Sequence, residues 1–120
     1  MPIPQLDALK ARLVAYARFV EDMIEKSKKA LVARQVEMLR EIIDSDEPRA
    51  NEFEMDLEEE CTSLIAQHQP MAHDLRTMLM ILRITNDLER IADLSTNIGE
   101  DVIYMAEGRV IKHHRQEEKQ

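Results

Sequence analysis

Apolar residues recur at intervals of three and four along almost the whole chain, and they fall into three runs. In the first, Leu6, Leu9, Leu13, Tyr16, Val20, Met23/Ile24 and Ala30/Leu31 keep helical phase. Pro2 and Pro4 stand at its entrance, where a missing backbone N–H costs little. The pattern predicts a helix over about 5–33, with a break near Arg34 placed on grounds of length, because "ALVARQVEM" contains no Gly, Pro or Asn. The second run is Val36, Leu39, Ile43, Ala50, Phe53, Leu57, Cys61, Leu64 and His68. It stays in phase across Pro48, which favours one helix over 36–68 kinked near 48. The other reading is two helices joined by a short loop at "DSDEPRA".

"HQPMAHDLR" marks a corner, with Pro70 suited to the first position of a third helix over 70–107. Its expected seam is Ile84, Leu88, Ile91, Ser95, Ile98, Val102 and Met105, and Gly108 is its stop signal. Each rod of about 30 residues is about 45 Å long. The pattern as a whole predicts an all-α fold, an elongated up-down-up three-helix bundle in a single domain over 1–108. Residues 109–120, "RVIKHHRQEEKQ", read as a polar tail.

Composition supports this picture and narrows the function. Two Gly, no Trp and 3% aromatic residues suit an all-helical chain, and 44% hydrophobic residues argue against disorder. A net charge of −8 with no basic face argues against nucleic-acid binding. The lone Cys61 suits a reducing compartment, and its seam position makes it a small buried hydrophobe. With no membrane-length apolar run and no signal-peptide pattern, the expectation is a cytoplasmic protein without direct membrane insertion. Neither a phosphate-binding glycine loop, nor Glu-x-x-His, nor Cys-x-x-Cys is present, and no nucleophile stands beside a base. The expectation is therefore not an enzyme. His68 reads as a core-edge residue, His73 stands alone, and His113 and His114 fall in the tail.

The flanks of the helices carry the chemistry. If the second and third rods run antiparallel about Gln69–Pro70, residues whose numbers sum to about 139 share a height. One flank then sets Arg76, Arg83 and Arg90 against Glu52, Asp56 and Glu60, an ion-pair ladder that fixes register. The other flank carries Glu47, Asn51, Glu54 and Glu58 on the second rod, and Glu89, Asp93 and Glu100 on the third. Glu47 comes level with Asp93, and Asn51 with Glu89. Residues 44–60 hold nine acids against the single base Arg49. An outward acidic stripe is the ordinary solvated face of a helix. The same crowding is also relieved by a bound cation, for which carboxylate and amide oxygens are hard ligands.

Two segments bear a family likeness: "ECTSLIAQHQPMAHDLR" and "ILRITNDLERIADLSTNIGE" resemble the signature of the PhoU family of phosphate-uptake regulators. The corner Gln69, Pro70, Ala72, Asp74, Leu75, Arg76 is similar to the first part of that signature. Asp87, Leu88, Glu89, Arg90, Ile91, Asp93, Asn97 and Ile98 are similar to the second. The resemblance implies a cytoplasmic regulator that contacts the ATPase of a phosphate ABC transporter and a sensor histidine kinase. It also implies a divalent metal or iron cluster held by paired acids. Carried over, the candidate ligands are Glu89, Asp93 and Asn97, with Glu47 and Asn51 opposite. Ala92 departs from the family's usual glycine. Family members resemble two tandem three-helix repeats, and this chain holds one, so a homodimer forming a six-helix assembly is expected. Ala15 and Phe19 are candidates for its contact face. A metal-independent helical adaptor is the alternative reading.

Overall fold

A computed structural model describes residues 3–108. Three antiparallel rods make up the fold, and among the described residues there is no strand. The first rod is α1, Pro4–Ala33. The second is built from α2 (Val36–Glu41), one π-helical turn (Ile42–Asp46) and α3 (Glu47–His68). The third is α4, Ala72–Glu107. The bundle is elongated, 57 × 31 × 18 Å.

Both corners are turned without glycine. Arg34 (φ 56°) and Gln69 (φ 44°) take the left-handed conformation that ends a helix. The N–H of Gln35 donates to the Ala30 carbonyl at 3.1 Å, and that of Gln69 to Ile65 at 3.0 Å. The break near Arg34 is thus a left-handed cap. Its sequence signal is faint because a cationic side chain occupies the position glycine usually marks. At the other end Gly108 (φ 71°) caps α4. The expected tail, 109–120, lies outside the described residues.

Pro48 falls in the first turn of α3, immediately after the π turn. There the Glu47 N–H donates five residues back, to Ile42. The wider turn absorbs the hydrogen bond that proline cannot make, so the rod continues where an ordinary α-helix would be broken.

The core is continuous from Leu6 to Ile103 and follows the first two expected seams closely. Leu9, Tyr16, Val20, Met23 and Ala30 are buried from α1, and Leu39, Ile42, Ala50, Leu57, Cys61 and Leu64 from the second rod. Cys61 donates its thiol to the Met78 carbonyl at 3.3 Å, and burial pushes its pKa up. His68 is exposed, beyond the edge of the core. Phe19 is half-buried, its ring 5.5 Å from that of Phe53, and Ala15 is exposed.

On α4 the seam differs from expectation. Its buried residues are Met78, Ile81, Thr85, Ala92, Ser95, Thr96, Gly99, Glu100, Val102 and Ile103, whereas Ile84, Ile98 and Met105 are exposed. The buried hydroxyls are satisfied within the helix: Thr85 donates to Ile81 at 2.7 Å and Thr96 to Ala92 at 3.2 Å. Small side chains here let the rods approach closely. A methyl on Gly99 would sit 3.6 Å from Leu39.

The expected arginine ladder does not form. Glu60 pairs instead with Arg12 at 3.9 Å, and Glu52 with Arg49 at 2.9 Å. Among the described residues no ion pair joins Arg76, Arg83 or Arg90 to Glu52, Asp56 or Glu60. Cross-rod tethers lie at the other end. Lys26 bridges Glu41 (2.5 Å) and Asp46 (2.9 Å), and Arg40 pairs with Glu107.

Candidate functional site

The middle of the bundle carries an aromatic wedge under an acidic edge. Tyr16 of α1 stacks on Phe53 of α3, ring centroids 5.3 Å apart and planes 14° from parallel. Arg49 lies over the Phe53 ring, 4.6 Å from its centroid. The stack drives the Tyr16 hydroxyl into the interior: the residue is 0% exposed and its oxygen has no hydrogen-bond partner. A buried hydroxyl left so costs about 1–3 kcal/mol.

Carboxylates of two helices act on that hydroxyl. Burial raises the Tyr16 pKa, and the negative charges of Glu54, Glu89, Asp93 and Glu58 raise it further. Glu54 and Glu58 lie one turn apart on α3, Glu89 and Asp93 one turn apart on α4. Glu89 and Asp93 share a hydrogen bond. That bond, with partial burial and the charges of Asp93 and Glu54, lifts the Glu89 pKa from 4.5 to about 7. Arg90 opposes the rise only weakly. Glu54 is also raised, by burial first and then by Glu58 and Asp93. Two helices thus present four acidic groups that repel one another, which favours the protonated form of Glu89.

Glu89 and Asp93 come together as the helical spacing requires, and both are half-buried rather than fully outward. Asn97, one turn further along, is half-buried as well, and so is Glu47; Asn51 is exposed. The α3 groups that act on the α4 pair are Glu54 and Glu58, which the flank argument placed on this edge but did not put level with Glu89. Tyr16 was legible only as a seam residue. Its hydroxyl end points across the seam, which a one-helix pattern does not reveal. Among the described residues no three His, Cys, Asp or Glu side chains converge into a ready-made metal ligand set.

Comparison with known proteins agrees with this architecture. The family model described as the PhoU domain matches residues 13–102. Curated relatives include a phosphate-specific transport system accessory protein PhoU homolog from Aquifex aeolicus, 36% identical over 90% of this chain and 48% of its own length. The homolog from Borreliella burgdorferi is 34% identical over 84% of this chain and 45% of its own length. That from Pseudomonas putida is 31% identical over 86% of this chain and 40% of its own length. The chain therefore spans less than half the length of these relatives. No solved structure gives a significant match. With a family match that begins in α1, takes in the Gln69–Pro70 corner and ends at Val102 on α4, this chain belongs to the PhoU family.

Proposed function

We propose that this protein is a regulatory accessory component of phosphate transport. It acts by contact and occlusion on a transporter ATPase or its sensor kinase, in the cytoplasm, and makes no bonds of its own. The transport role is supported by the relatives, which are accessory proteins of phosphate-specific transport systems. The acidic edge supports a cation-dependent mechanism, and the observation that carries it is the partnerless Tyr16 hydroxyl beneath four carboxylates.

Glu89 and Asp93 hold the cation, with Glu54 and Glu58 facing them and Asn97, Glu47 and Asn51 extending the edge. All are oxygen donors, which fits a hard divalent ion or an iron cluster. The ion would supply positive charge that relieves the repulsion among these carboxylates. The protein's part is to carry the four carboxylates on α3 and α4, where they act electrostatically on one another and on the buried phenol hydroxyl of Tyr16. Two copies of the chain associate in the working form.

The metal-independent adaptor has an observation of its own: no converged ligand set is present among the described residues. One experiment separates the readings. The purified chain is tested by calorimetry for binding to a phosphate-transporter ATPase subunit, with Mn²⁺ and with chelator. Binding that requires Mn²⁺ and is lost in Glu89→Gln/Asp93→Asn supports the proposal. Binding indifferent to both supports the adaptor, and no binding to the ATPase or the kinase contradicts the transport role.

A further inference from the structure

Several buried donors of the bundle are settled by backbone carbonyls. Ser27 donates to Ile24 at 2.9 Å, Thr85 to Ile81, Thr96 to Ala92, and the Cys61 thiol to Met78. Tyr16 is buried as deeply, and its hydroxyl has no such bond. A phenol ring carries its oxygen beyond reach of the carbonyls of its own helix, and the stack on Phe53 holds the ring in place. Packing does not require the hydroxyl: phenylalanine would make the same stack without the cost of an unmet donor. The oxygen is held where the charges of Glu54, Glu89, Asp93 and Glu58 all act on it, yet none of these carboxylates accepts its proton.

We propose that Tyr16 is a positioning residue of the cation site: when an ion loads the edge, a carboxylate of α3 or α4 closes on the Tyr16 hydroxyl and accepts its hydrogen bond. The inference rests on the cation reading above and adds to it a role for a residue of α1. Repulsion keeps the bond unmade in the ion-free chain. Glu54, Glu89 and Asp93 are half-buried and Glu58 is exposed, so each is free to turn toward water and away from the others. A hard cation cancels that repulsion and draws the oxygens inward. A carboxylate has two oxygens and about four acceptor positions, so one that binds the ion still has room for the phenol. The phenol keeps its proton, because burial first and then the neighbouring acids raise its pKa. Its hydrogen bond orients the ligand, as an outer partner does at metal sites generally, and recovers the cost of the buried donor. Tyr16 stands on α1 and the acids on α3 and α4, so the loaded edge ties all three rods together.

The chain has two tyrosines and no Trp, so Tyr104→Phe, at an exposed position, leaves Tyr16 as the only phenol. The chelator-treated Tyr104→Phe chain is titrated with Mn²⁺, with uptake followed by equilibrium dialysis and the tyrosine band by near-ultraviolet absorption. The band is expected to move to longer wavelength in step with uptake, the signature of a phenol that has become a hydrogen-bond donor, with no phenolate band. Tyr16→Phe takes up Mn²⁺ about 10-fold more weakly at unchanged helicity, the worth of one hydrogen bond to a charged acceptor. Glu89→Gln/Asp93→Asn in the Tyr104→Phe chain shows neither uptake nor shift. Uptake without a shift overturns the proposal, as does equal uptake by Tyr16→Phe or the appearance of phenolate. Should Tyr16→Phe lose helicity, the band alone decides. Those outcomes leave the cation reading standing, whereas no Mn²⁺ uptake by the native chain overturns both, so the two failures are distinguishable.

Discussion

Over the middle turns of α4 the two faces invert the usual assignment of residue types. The middle of the face packed against α1 and the second rod is made of small and hydroxyl-bearing residues, Thr85, Ala92, Ser95, Thr96 and Gly99, between Met78 and Ile81 at one end and Val102 and Ile103 at the other. The face turned away carries Met80, Ile84, Leu94, Ile98 and Met105. Close approach explains the first. With small side chains the rods come near enough for backbone and Cβ atoms to touch, and internal hydrogen bonds satisfy the hydroxyls of Thr85 and Thr96. The second is a surface whose driving force is unspent within one chain. Burial on a helix therefore follows size and fit as well as apolarity.

Several substitutions break or sharpen this contrast, measured by denaturant unfolding at concentrations where one chain unfolds alone. Ile103→Ala, at a fully buried position, costs about 3 kcal/mol, whereas Ile98→Ala costs less than about 1. Equal losses would erase the distinction between the faces. Thr96→Leu overpacks the small-residue face and costs about 2 kcal/mol, although it makes α4 more apolar. Gly99→Ala stabilises by about 1 kcal/mol, because helix propensity improves and the added methyl meets Leu39 and Ile43 at ordinary contact distances. Tyr16→Phe removes the unsatisfied hydroxyl. Without metal it raises stability by about 1 kcal/mol, a gain that shrinks in Mn²⁺.

The smallest effect is in pH. Glu89 has its folded pKa raised to about 7, so the native chain holds a proton that the unfolded chain releases near pH 4.5. Its contribution to stability is full below pH 4.5 and is lost as pH rises through about 7. Glu89→Gln, which cannot ionise, should flatten the decline of the melting temperature over that window. An unchanged slope would mean that the surroundings of Glu89 do not favour its protonated form.

Much of this architecture is legible in the chain, and the exceptions have physical causes. On α1 and α3 the core residues are large and apolar, so their spacing reveals the buried face. The seam of α4 misleads because its inner residues carry a weak hydrophobic signal and its outer ones a strong one. The run Ala92, Ser95/Thr96, Gly99 at threes and fours was the clue to the inner face. The edge at Glu89 and Asp93 follows from helical spacing alone, since a pair four apart on one helix needs no knowledge of its neighbours. Its partners on α3 do not, because the π turn and the height of α3 against α4 are tertiary facts. The same holds for the Tyr16 hydroxyl.

The account turns most on whether the acidic edge of α3 and α4 holds a cation. Calorimetric titration of the chelator-treated chain with Mn²⁺ tests this directly, with Glu89→Gln/Asp93→Asn as the control. The account predicts saturable uptake by the native chain and none by the double variant. No uptake by the native chain, or equal uptake by both, would contradict it.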